Sequence, residues 1–140
     1  MKKTILTLLA LVMLIASVTV IPANAAVADP GETVMPMWDN TKIITTNIIF
    51  SEGDIGSAEI SVIGRPGVSQ IEVTIKVYKQ VGSTWEFLTE SNYVSYSLQA
   101  AYSKHFSAEP GCNYWAEYTI IVTGYGSEET IVRNRYGAYE

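Results

Sequence analysis

His105 is the only histidine in this 140-residue chain, and it bounds the chemistry available. A single histidine excludes zinc ligation by a histidine pair and leaves Ser-His-Asp as the one conventional triad. No G-x-S-x-G stretch is present to raise a nucleophilic serine on a strand-to-helix turn, so His105 reads as a surface strand residue. Two carboxylates, Glu72 and Glu117, fall on outward positions of strands expected to be neighbours, and paired carboxylates can hydrolyse glycosides. They alternate with Lys76 and threonines, as any solvated sheet face does, and a sandwich of this size seldom forms a deep cleft. Ser51-Glu52-Gly53-Asp54 and Glu128-Glu129 each offer two carboxylates, whereas calcium takes six or more oxygens. Neither has EF-hand spacing, and both read as ordinary acidic turns. The lone Cys112 reads as a small, partly buried filler, the alternatives being an intermolecular disulfide or a reactive thiol. The residues therefore predict no catalytic site, no metal site, no cofactor and no enzyme.

What remains is surface chemistry. Tyr78 and Trp115 fall on the outward face of two strands, beside Lys76 and Glu117. Aromatic rings among polar groups on a flat sheet can stack on sugar rings or anchor a protein partner. The alternative is that an N-terminal leader or a neighbouring strand covers Trp115.

These side chains must be positioned by strands. The stretch Glu109 to Tyr125, EPGCNYWAEYTIIVTGY, opens with the turn pair Pro110-Gly111 and then alternates. Tyr114, Ala116, Tyr118, Ile120 and Val122 fall on one face, and Trp115, Glu117, Thr119 and Thr123 on the other, the period of a half-buried strand. Ile71 to Tyr78 alternates as cleanly, with Ile71, Val73, Ile75 and Val77 inward. These two strands are expected to lie centrally in one sheet. Ile43–Ser51 carries Ile44, Ile48 and Phe50 on one face. Gly56–Ile63 turns Ala58, Ile60 and Val62 inward, and Glu52-Gly53-Asp54 joins the two as a hairpin. Gln80 to Ser83 turns into Thr84–Leu88, where Trp85 and Phe87 share a face, and Ser91-Asn92 marks a weak break. Tyr96–Phe106 follows, with Tyr96, Leu98, Ala100 and Tyr102 inward, and Glu129–Arg135 is last. Seven strands evenly punctuated by Gly, Pro, Asn and Ser predict an all-β antiparallel sandwich.

The ends of the chain set its address. Lys2 and Lys3 precede an apolar run from Ile5 to Ile21, then Pro22 and Ala23-Asn24-Ala25. That is the layout of a signal peptide over 1–25, cleaved before Ala26; about 17 apolar residues only approach the length of a membrane anchor. Residues 26–42, rich in Pro and acid, are expected to form an extended leader ahead of a domain over 43–140. Trp38 is expected to fold back over one end of the sandwich, the alternative being an exposed Trp for ligand binding. Without Lys2 and Lys3, seven basic residues face fourteen acidic ones, a net charge of −7. Such a surface disfavours nucleic acid and anionic lipid. It predicts a secreted, extracellular protein with no membrane span in the mature chain.

Pro110-Gly111-Cys112-Asn113-Tyr114, followed by alternating aromatics and β-branched residues, resembles the turn and sixth strand of fibronectin type III domains and other immunoglobulin-like sandwiches, where a tyrosine corner stands. The chain departs from fibronectin type III in having Ala58 to Val62 where that family's second-strand Trp is found. Across nearly all of the mature chain, Trp38-Asp39-Asn40, VTIKVYKQVGSTWEFL and PGCNY resemble a family of small secreted domains of anaerobic Gram-positive bacteria. That resemblance implies a secreted β-sandwich and carries over no catalytic residue. The expected function is a secreted binding module for a cell-surface glycan, a cell-wall polymer or a protein, acting through Trp115, Tyr78, Glu117 and Lys76. A self-assembling envelope protein is the alternative, and a small hydrolase the weakest reading.

Overall fold

The structure, a computed structural model, describes residues 38–140; the expected signal peptide and residues 26–37 of the leader lie outside the described residues. Seven strands follow in chain order: β1 Thr41–Ser51, β2 Ile55–Gly64, β3 Val68–Val81, β4 Thr84–Ser95, β5 Gln99–Ser107, β6 Cys112–Gly124 and β7 Ser127–Tyr139. They form two antiparallel sheets, β1-β2-β5 and β4-β3-β6-β7, packed as an immunoglobulin-like sandwich. The two strands of cleanest alternation, β3 and β6, do lie centrally in the larger sheet. Turn chemistry follows the hairpin rules. Gly82 (φ 62°) opens the two-residue β3–β4 loop, and Tyr125 (φ 50°) with Gly126 (φ 76°) joins β6 to β7.

The core lies where alternation puts it. Ile71, Val73, Ile75 and Val77 from β3 are fully buried, as are Tyr114, Ala116, Tyr118, Ile120 and Val122 from β6. Ala58, Ile60 and Val62 close on them from β2. Two buried tyrosines satisfy their hydroxyls on backbone, as a phenol in a core must. The Tyr118 O–H donates to the Asn47 carbonyl at 2.6 Å, tying the sheets together. The Glu109 N–H donates to the Tyr114 hydroxyl at 2.7 Å, so the expected tyrosine corner is formed. Gly111 (φ 79°) makes the turn that aims Tyr114 into the core. Trp38 packs against the core with the Arg133 guanidinium 5.1 Å from its ring centroid, folded back as expected.

Four local expectations are corrected. Ser91 and Asn92 do not break the chain, because β4 runs on to Ser95 with both residues paired to β3. Tyr96 and Leu98 are exposed rather than inward. They sit where the chain crosses from the four-stranded to the three-stranded sheet, outside both inner faces; only from Gln99 does β5 begin. The last strand continues past Arg135 to Tyr139, and β1 begins at Thr41, two residues ahead of the expected Ile43.

Candidate functional site

The outward face of β4-β3-β6-β7 is built in rows, because register sets residues of successive strands side by side. Tyr78 of β3 pairs with Phe87 of β4 on one side and Trp115 of β6 on the other, and Trp115 pairs with Tyr136 of β7. One aromatic from each strand thus forms a single line, Phe87-Tyr78-Trp115-Tyr136, across the whole sheet. The next row is Glu90-Lys76-Glu117-Asn134. The four residues read from the sequence, Trp115, Tyr78, Glu117 and Lys76, are therefore direct neighbours, all half-buried.

Ring geometry decides what this line presents. Tyr78 and Trp115 stack with centroids 4.6 Å apart and planes 20° from parallel, and Trp115 and Tyr136 at 6.0 Å and 14°. Parallel rings on neighbouring strands stand on edge, like books on a shelf, so Trp115 is flanked on both faces. The expectation that a neighbouring strand covers Trp115 holds to this extent. The Trp115 Nε1–H donates to Asn134 Oδ1 at 3.0 Å, which fixes the indole further. Accessible ring surface falls instead to Phe87 (58% exposed), Tyr136 (48%) and Trp85 (37%). Trp85, on β4, reaches across β3 to touch Trp115 edge-on at 6.0 Å and Tyr136 at 5.9 Å.

Phe87 and Trp85 reach this face through a bulge. Val77 pairs with Thr89, but the next β3 residue, Tyr78, pairs with Phe87, leaving Leu88 as an extra residue in β4. Beyond the bulge Thr89 and Tyr93 oppose inward residues; before it Trp85 and Phe87 of the same parity point outward. Such a bulge re-aims side chains. Sequence reasoning put Trp85 and Phe87 on one face without assigning it, and it stopped β7 one residue short of Tyr136. The signal for Tyr136 was its parity with Val132 and Asn134, masked by the inward Arg133 and Arg135. Arg135 Nε donates to the Thr46 carbonyl at 3.0 Å across the gap between β7 and β1.

The polar residues beside the line are available for contact. Among the described residues, Lys76, Glu90 and Glu117 make no side-chain hydrogen bond or ion pair with one another or with others. On the far side of the line, Asn113 Nδ2 donates to Gln80 Oε1 at 2.8 Å.

The remaining candidates lie apart. Glu72 and Glu117 occupy different rows, and Glu72 is engaged by the Asn92 amide at 2.9 Å. His105 is exposed on the outward face of the other sheet, opposite Ser57, whose hydroxyl is 2.6 Å from that of Ser103. Cys112 is partly buried at the start of β6 and is a free thiol. No group of three or more His, Cys, Asp or Glu residues among the described residues is placed to hold a metal ion. The carboxylate of Glu109 is 2.6 Å from Lys79 Nζ, and this contact holds the partly buried Lys79 ammonium above the usual lysine range. Comparison with protein families finds no matching family, and comparison with curated proteins finds no matching relative.

Proposed function

We propose that this protein is a secreted, non-enzymatic binding module that engages a cell-surface or cell-wall polymer through the outward face of its four-stranded sheet. The observation that carries the reading is the aromatic line, with one ring from every strand in register. An apolar patch of a few hundred Å2 is not unusual on a monomer. An ordered line is a different matter, because aromatics on a solvated sheet face add nothing to a core already complete on the other side. Turning Phe87 into that line and Trp85 beside it also takes a bulge in β4. Rings with an apolar body and accessible faces are the residues that carry binding energy at recognition surfaces. The signal-peptide layout of residues 1–25 and the acidic balance support an extracellular setting.

The test is retention of the 26–140 chain on bacterial cell walls, with Trp115→Ala and the doubly substituted Trp85→Ala, Tyr136→Ala protein beside it. Retention of the parent and loss in the double variant, with its thermal midpoint near the parent's, is the expected result. Equal retention of parent and double variant would move the site elsewhere.

A further inference from the structure

The line is narrow, and its flanks differ from its middle. Three strand spacings make it about 14 Å long, and the three most exposed rings, Phe87, Tyr136 and Trp85, present roughly 300 Å2. A stable protein–protein interface takes about 800 Å2 from each partner, well above what these rings present, so the line by itself suits a narrow ligand better than a second copy of this chain. Rows able to hydrogen-bond border it on both sides. Lys76, Glu90 and Glu117 lie along one edge without partners among the described residues, and Gln80 and Asn113 lie along the other. A ligand matched to this pattern is an extended chain one ring wide, apolar on its flat faces and lined with hydroxyls at its rims. A pyranose polymer has that build: its C–H faces stack on aromatic rings, and its equatorial hydroxyls project sideways, where carboxylates accept and ammonium or amide groups donate.

Charge narrows the class. The row next to the rings holds two carboxylates to one ammonium, on a mature chain of net charge −7. A polyanion would meet repulsion here rather than attraction.

Resting on the reading of this face as a binding site, we infer that its ligand is an uncharged polysaccharide, lying across the strands along the Phe87-Tyr78-Trp115-Tyr136 line. Trp85, its plane 72° from the on-edge Trp115, supplies the main stacking surface. Tyr136 meets the chain with its ring edge and its outer face at the sheet margin, and Lys76 and Glu117 bond the hydroxyls along one rim. A chain in this orientation contacts all four strands at once, so each substitution along the line weakens the same binding event.

The experiment is sedimentation of the 26–140 chain with insoluble cellulose, chitin and xylan, and affinity electrophoresis in gels containing soluble mixed-linkage β-glucan or polygalacturonate. Retention on at least one uncharged polymer is expected, with at least a tenfold loss in Tyr136→Ala and in Trp85→Ala. A smaller, several-fold loss is expected in Glu117→Gln and Lys76→Ala, and polygalacturonate should give no retardation. Both ring variants alter exposed side chains, and a thermal melt of each checks that it is folded. Retardation by polygalacturonate alone would overturn the inference about charge. Retention on whole cell walls through these rings, with none on any purified uncharged polymer, would overturn the polysaccharide while leaving the binding face standing. Retention indifferent to both ring variants would overturn the inference and the reading beneath it together.

Discussion

The sandwich has two outward faces, and they differ in kind. On the three-stranded sheet, successive rows read Thr45-Ser61-Ala101, Asn47-Glu59-Ser103 and Ile49-Ser57-His105. These are small and polar residues with one aliphatic, and their hydroxyls bond one another, as at Ser57 and Ser103. On the four-stranded sheet the corresponding surface carries five aromatic rings in mutual contact. Both sheets cover the same core, so core packing asks no more of the second face than of the first, and the ring cluster exceeds that demand. The three-stranded face shows what a solvated surface of this protein looks like when nothing is asked of it beyond solubility. The contrast is the reason for assigning binding to the aromatic line and not to His105.

The comparison can be sharpened at its structural root, the bulge that turns Phe87 and Trp85 outward. Deleting Leu88 removes the extra residue, so that Phe87 directly precedes Thr89 and β4 alternates regularly, with the pairs Tyr78–Phe87 and Val77–Thr89 and both faces kept. The deletion is therefore expected to change stability by no more than about 1 kcal/mol and to keep retention on the matrix. A collapse of the urea midpoint would show that the bulge itself is needed. Deleting a residue from the two-residue turn at Gly82-Ser83 would leave the parity of β4 beyond the bulge unchanged and makes a useful control. Truncating Trp115 comes next. Its indole meets Tyr78, Trp85 and Tyr136, contacts worth ~0.5–1.5 kcal/mol each. Trp115→Ala is therefore expected to lower stability by roughly 1.5–4.5 kcal/mol and to abolish binding, because the flanking rings lose their support. His105→Ala and Thr45→Ala, on the plain face, are expected to change neither stability by more than about 0.5 kcal/mol nor retention on any matrix.

A third prediction tests the tie between the sheets. Burial pushes the Tyr118 phenol well above the tyrosine range, opposed by the nearby charge of Arg135. Because the folded-state value is raised, the unfolded chain gives up its proton first as pH climbs. The stability contributed is complete below about pH 10 and is lost progressively above it. Urea midpoints are expected to fall above that pH, and to fall less steeply in Tyr118→Phe. An equal slope in both would show that Tyr118 is not the group responsible.

Much of this was legible in the sequence, for a definite reason. In β3 and β6 every second residue from Ile71 to Val77 and from Tyr114 to Val122 is apolar, and both strands are interior, so alternation alone gives their orientation. It also placed Tyr78 and Trp115 together on the outer face beside Lys76 and Glu117. What alternation does not carry is a change of parity. The bulge at Leu88 involves no glycine or proline, so nothing local announced that Trp85 and Phe87 lie outward while Tyr93 lies inward. Tyr136 was missed because Arg133 and Arg135 occupy inward positions on an edge strand, where a guanidinium can reach the sheet margin; the apolar signal of β7 fades there although the strand continues. Tyr96 and Leu98 misled in the opposite way, since they continue the apolar pattern of β5 through a crossing that belongs to neither sheet. Ring orientation lay beyond the sequence altogether. Pairing Tyr78 with Trp115 stands both rings on edge, and so the accessible surface passed to three residues that the sequence did not single out.

The most direct test of the aromatic face is a backbone amide chemical-shift map of the 26–140 chain during titration with soluble oligosaccharides cut from whichever polymer retains it. The account predicts shifts centred on Phe87, Tyr78, Trp115 and Tyr136 and the rows beside them, with β1, β2 and β5 unmoved. Saturable shifts centred on the outward residues of the three-stranded sheet would contradict it.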